Sequence, residues 1–129
     1  MNKHLFNTIV AGVGSMLTYF FGGWDTCLIV LVAFMVLDYA TGLLSAWIQC
    51  KVNSKVGYKG IAKKASILVV LIVAVLLDRL LNSGIWVFRT LVAYFYIANE
   101  GISILENCGK CGLPLPQKLV RALEQLKAK

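Results

Sequence analysis

Charged residues are sparse enough along this chain that the hydrophobic pattern divides it into four long apolar stretches. Leu5–Phe21 carries no formal charge and Cys27–Ile48 carries only Asp38. Ala65–Leu81 is apolar until Asp78 and Arg79, and Ile85–Leu105 is interrupted by Arg89, Asn99 and Glu100. The stretches are about 17, 22, 17 and 21 residues long, and roughly 17–25 helical residues cross a ~30 Å hydrocarbon layer. The second tolerates its acid on magnitude. About eleven Leu, Ile, Val and Phe at roughly −0.3 to −0.6 kcal/mol each outweigh one Asp at about +3 kcal/mol. The pattern predicts an all-α integral membrane protein with about four short transmembrane helices. The first stretch is the weakest, because Asn7, Gly12, Gly14 and Ser15 dilute it, and a three-span arrangement stays open. Lys3 gives it a thin basic start, but no small-x-small cleavage site precedes Gly22-Gly23-Trp24-Asp25, so it reads as a retained span and not a cleaved signal.

Beyond the fourth stretch, Leu113-Pro114-Leu115-Pro116 is expected to break the helix. Leu119, Val120, Leu123 and Leu126 then recur at helical spacing, with Lys118, Arg121, Glu124 and Lys127 opposite them. That is a C-terminal amphipathic helix, suited to lie on a membrane surface or to pack on the 49–64 connection. The chain therefore divides into a bundle over residues 1–108 and a Pro-led basic tail over 109–129.

Composition agrees: hydrophobic residues make up 59% and charged residues 15% of the 129, against about 25% charged in soluble domains. Charge adds orientation. Residues 49–64 hold Lys51, Lys55, Lys59, Lys63 and Lys64 and no acid, and the tail adds Lys118, Arg121 and Lys127. The connections 22–26 and 82–84 hold no Lys or Arg. Positive charge stays cytoplasmic, which places both termini and residues 49–64 inside. The net charge of +7 then points to anionic lipid headgroups, with the named lysines and Arg121 as inner-leaflet anchors. No nucleic-acid-binding pattern accompanies it.

The candidate chemistry lies in polar stripes. Asp38, Thr41, Gly42 and Ser45 share one face of the second span, and Arg89, Tyr96, Asn99, Glu100 and Ser103 run along the fourth with Asn107. Charged groups at membrane depth turn toward a bundle interior or a water-filled cavity. The stripes fit either static packing or an assembly face. Asp78 and Arg89 are expected at similar depth on neighbouring helices, as an intramembrane ion pair, and Glu100 within reach of Lys63 or Lys64. Asp38 has no evident basic partner at its depth. The Cys108-Gly109-Lys110-Cys111 pair lacks the second pair a structural zinc site needs, and no βαβ context supports a redox role. No nucleophile–base pair or phosphate-cradling loop is present, so no enzyme activity and no cofactor are expected.

One series of residues resembles a known family. Asp38-Tyr39-x-Thr41-Gly42, Ser54-Lys55-x-Gly57-x-x-Gly60-Ile61-x-Lys63-Lys64, Asp78-Arg79, Tyr96-Ile97-x-Asn99-Glu100-Gly101-x-Ser103 and Leu113-Pro114-x-Pro116-x-Lys118 resemble the phage lysis and toxin-secretion holins. The resemblance runs from about residue 30 to the C-terminus; the Cys108/Cys111 pair is not part of it. It implies a multi-pass protein of the host bacterial cytoplasmic membrane, with three or four spans. Such a protein self-assembles as a homo-oligomer into lesions that depolarise the cell and release an endolysin or a toxin. An antiholin that restrains such a protein shares the pattern. The rival class is a small four-helix dimeric secondary transporter, whose essential acid belongs in the first span, where this chain has none.

Two outcomes follow. In single-cysteine variants, Cys27 reacts with a membrane-impermeant thiol reagent from outside and Cys50 and Cys108 only from inside; labelling of residue 2 from outside with Cys50 inside gives the three-span arrangement. Replacing Cys108 and Cys111 together by serine leaves insertion and activity nearly unchanged, and a loss restored by zinc would reverse that reading.

Overall fold

The computed structural model describes residues 2–128, all of whose regular elements are helices: α1 Lys3–Phe21, α2 Thr26–Ile48, α3 Ser54–Leu81, α4 Val87–Lys110 and α5 Gln117–Ala128. The first three are long and apolar enough to cross a membrane. Helix α4 has the length, at 24 residues, but is not among those three; Arg89, Asn99, Glu100 and Asn107 fall along it.

The first three helices start where a side chain takes up an orphan amide group. Asn2 accepts from the His4 amide, Asp25 from Leu28 and Asn53 from Val56. Helix α4 has no such cap of its own. Its first amides are taken by Asp78, on the preceding helix, which accepts from Phe88 N at 3.0 Å and Arg89 N at 2.8 Å.

Two boundaries differ from the sequence expectation. Residues 54–64 are not a loop: the Asn53 cap starts α3 there, so Lys55, Lys59, Lys63 and Lys64 stand on a helix. And α4 ends ahead of the prolines. Gly112 turns to φ +96° and Leu113 N returns to Cys108 O at 3.2 Å, so the chain has already left the helix at Pro114.

Helices α2 and α4 form the most extensive pair and run parallel, since Asp25 meets Arg89 at one end and Thr41 meets Asn107 at the other. Helix α3 lies against both in the opposite direction. Leu28, Leu31, Met35, Ile67, Leu71 and Ala93 form the core between them. Tyr39 lies on the α3 face made by Gly57 and Gly60, where an added Cβ would stand 3.1–3.2 Å from its ring and hydroxyl. Helix α1 buries no residue and leans chiefly on α3, while α5 packs beside α4. Outward faces carry Val36, Val69, Val73, Leu80 and Leu91 in the open. Such a surface suits hydrocarbon and not water.

Two arginines tie α1 to the bundle. Arg79 donates to Tyr19 O at 2.7 Å and lies 4.1 Å from the Tyr19 ring centroid. Arg89 donates to Phe21 O at 2.7 Å, to Gly23 O at 3.2 Å, and to both oxygens of Asp25 at 2.8 and 3.0 Å. The expected Asp78–Arg89 ion pair is corrected by this: Asp78 accepts from the backbone amides of Phe88 and Arg89 and does not meet the guanidinium, because α4's first turn occupies its oxygens. The guanidinium goes to Asp25. That contact holds the Asp25 carboxyl below the ordinary carboxylate range, the Arg89 hydrogen bond being the largest cause. Gly22, at φ +80°, closes the arrangement, since a Cβ there would come within 2.7 Å of Arg89 Nε.

Asp25→Asn is therefore expected to lower thermal stability in detergent at neutral pH by about 1 kcal/mol, because the half-exposed Asp25 carboxylate is screened by solvent. Because the folded carboxyl titrates below its unfolded value, the contribution is present above about pH 4 and fades below it. The gap between wild type and variant should close on acidification. A gap unchanged from neutral to strongly acidic pH means the charge does not hold the contact. Gly22→Ala should also destabilise, through positive φ and the displaced guanidinium.

Candidate functional site

The polar stripes of α2 and α4 converge on a lysine from α3. Lys64 enters the seam where the three helices meet, its Nζ 2.7 Å from Asp38 Oδ2 and 2.9 Å from Glu100 Oε2. The side chains of Lys64, Asp38 and Glu100 are 14%, 10% and 3% exposed, so the cluster is largely withdrawn from the surface. From α4, Asn107 Nδ2 donates to Asp38 Oδ1 at 3.0 Å, Asp38 O at 3.2 Å and Thr41 Oγ1 at 3.0 Å. Thr41 turns its own hydroxyl proton back to Leu37 O at 2.7 Å. Asn107 also passes close to Gly42, where an added Cβ would stand in ordinary contact, 3.6 Å from Asn107 Nδ2.

Helical geometry explains the convergence. Lys64, Ile67, Leu71, Val75 and Asp78 recur at three- and four-residue steps and share one face of α3. The buried apolar members lie between a cation at one end and a carboxylate at the other. Asp38, Thr41, Gly42 and Ser45 do the same on α2, and Ser45 is buried. Two carboxylates sharing one ammonium leave the group with a formal charge of −1, and each charge has an opposite partner within hydrogen-bond distance. That is the condition under which charges persist away from water.

Two sequence expectations change here. Asp38 has a basic partner, and the partner is Lys64. Lys64 in turn is committed to the bundle interior and not to headgroups. Lys51, Lys55, Lys59, Lys63, Lys118 and Arg121 stay exposed, and the Lys127 side chain lies outside the described residues. Of the α4 stripe, Glu100 joins the cluster and Tyr96 packs against the apolar core. Asn99, Ser103, Lys63 and Glu106 border a cavity of about 260 Å³ beside Glu100. Arg89 belongs to the other end of the bundle. Asn107 is the member whose importance spacing alone understated. It stands one helical turn beyond Ser103 on the Glu100 face.

A second cavity, about 370 Å³, opens at the Lys-rich end with Asp38 and Lys64 among its walls. Among the described residues, no group of three or more His, Cys, Asp or Glu side chains is placed to hold a metal ion. Cys108 and Cys111 carry free thiols, and the Cys108 carbonyl serves to end α4.

Comparison with known proteins fits this architecture. The chain is 54% identical over 123 residues to an uncharacterized protein of Clostridium acetobutylicum, covering 95% of this chain and 98% of that one. It is 54% identical over 120 residues to an uncharacterized 14.9 kDa protein in the nagH 3′ region of Clostridium perfringens, covering 93% and 91%. A protein of Listeria monocytogenes, also uncharacterized, is 42% identical over 110 residues, covering 85% and 78%. No solved structure matches. The sequence model of the bacteriophage holin family matches residues 15–128, and the chain belongs to that family.

Proposed function

We propose that this chain is a holin that accumulates in the bacterial cytoplasmic membrane and then self-assembles into lesions. The lesions depolarise the cell and release an endolysin or a toxin. Both termini lie inside, and the exposed basic residues hold anionic headgroups. The observation that carries this reading is the Lys64 cluster, a polar network folded into the seam of an otherwise lipid-compatible bundle. A single unpaired acid at mid-helix costs about 2.5–3.5 kcal/mol on insertion scales. With its partners in the same chain, Asp38 carries little of that cost, so the lone protomer is tolerable in lipid. Assembly then exchanges contacts. Asp38, Glu100 and Asn107 leave Lys64 and Thr41 of their own chain for equivalent groups on neighbours, and a polar face lines the lesion. Such an exchange is nearly balanced in energy, which suits a protein that waits and then converts together with its neighbours. The pairing of Asp38 within the chain reverses the simpler idea of an acid that drives association by being unsatisfied.

The test expresses variants beside a cytoplasmic endolysin and follows turbidity, membrane potential and the amount of protein in the membrane. Asp38→Asn keeps a partner for Asn107 and loses the charge, whereas Asp38→Leu loses both. Both insert, both shift or abolish the moment of lysis, and Leu does so more severely. Lys64→Gln leaves two carboxylates facing each other and brings lysis forward, while the neighbouring Lys63→Gln changes timing little. Asp38→Leu lysing on the wild-type schedule at equal protein would reduce the cluster to packing. A wild type that never depolarises the membrane would end the holin reading.

A further inference from the structure

The cavity at the Lys-rich end has a composition that packing of the cluster does not require. The Asp38–Lys64 contact is part of its lining, and its walls come from α2, α3 and α4 with the connection between α2 and α3. Lys51, Lys63 and Lys110 stand around it, and among the described residues none of the three makes an ion pair. The one acid in its lining, Asp38, is already held by Lys64 and Asn107. Ser45, Gln49 and Tyr39 add neutral polar groups. Lys63 also borders the smaller cavity with Glu100 and Glu106, so its charge is shared between the two; Lys51 and Lys110 have no such second duty.

We infer that this cavity is a binding site for an anionic phosphate group, presented by a glycerophospholipid headgroup or by a soluble phosphate. Three lysines from three separate parts of the chain converge on one opening of about 370 Å³, within the ~300–1,000 Å³ of ordinary small-ligand sites. The position suits the ligand. The cavity sits where α2 ends, α3 begins and α4 approaches its last turn, which on the proposed topology is the inner membrane–water interface. A phosphate there would be bound between the helices that carry the Lys64 cluster, directly above it. Occupancy would therefore favour the closed arrangement of α2, α3 and α4 over the one opened for assembly. The inference rests on the proposed topology for the ligand's location, and on the cavity alone for its charge.

The experiment uses the purified full chain in mixed micelles and counts bound lipid by native mass spectrometry. Phosphatidylglycerol should be retained over phosphatidylcholine by about tenfold or more, since each lysine near an anionic surface is worth about fivefold. Lys51→Gln with Lys110→Gln should remove most of that preference, and Lys51→Arg with Lys110→Arg should keep it. Lys118→Gln with Arg121→Gln, on α5 and outside the cavity lining, should lower it clearly less than the Lys51/Lys110 pair does, because only general surface attraction is lost. Displacement of the lipid by millimolar inorganic phosphate supports the site and names a soluble ligand; resistance to displacement supports it and names the lipid. If the Lys51/Lys110 variant loses no more than the α5 variant, the preference belongs to basic charge in general and the inference fails. A wild type that still lyses cells but shows no lipid preference sinks this inference and leaves the proposed function standing.

Discussion

The Lys64 ammonium, 2.7 Å from Asp38 and 2.9 Å from Glu100, fixes the register of three helices. Buried ion pairs are weak evidence for stability but strict about position. Fourteen residues further along α3, Asp78 holds the first amides of α4. At 1.5 Å per residue the two contacts are about 21 Å apart, one near each end of the packed face. Sliding α3 by a single turn, about 5.4 Å, would break both at once. It would also move Ile67 and Leu71 away from Leu31 and Ala93, the apolar residues between the two contacts. In lipid, apolar contacts between helices discriminate poorly, because the tails are as apolar as leucine. Polar contacts at both ends therefore carry the specificity that a hydrophobic core supplies in water.

Much of the architecture was legible in the sequence, and the misses share one cause. Long apolar runs announced helices because nothing else in a membrane satisfies the backbone. The start of α3 was hidden because five lysines in residues 51–64 read as solvated connection. Asn53 was the signal that a helix begins there, and Lys64 lies three residues before Ile67 on the buried face. With residues 54–64 read as a loop, Asp38 has no basic partner at its depth. Arg89 was paired with Asp78 by depth, a sound criterion that ignored competition. An uncapped helix start claims a nearby carboxylate before a side chain can, and Asp25, 64 residues away, was left to meet the guanidinium.

The two ends of the bundle answer negative charge in different ways. At one, the last carbonyls of α1 present partial negative charge, and Arg79 and Arg89 answer it. At the other, two carboxylates enter the seam and a single lysine answers them, with Lys51, Lys63 and Lys110 around an open cavity. The first end is closed by backbone geometry at Gly22 and admits little change. The second is held by side chains that can exchange equivalent partners. On the proposed assembly, that asymmetry assigns the exchange of partners to the Lys-rich end.

The arginine ties of α1 also bear on the order in which the molecule is made. Helix α1 leaves the ribosome first, yet buries nothing of its own, and the donors for its terminal carbonyls arrive 60 and 68 residues later. Until Arg79 and Arg89 have been synthesised, the end of α1 lacks both of these donors. Biogenesis thus fastens α1 with helices made after it, and a nascent chain halted before α3 would hold α1 by nothing but lipid.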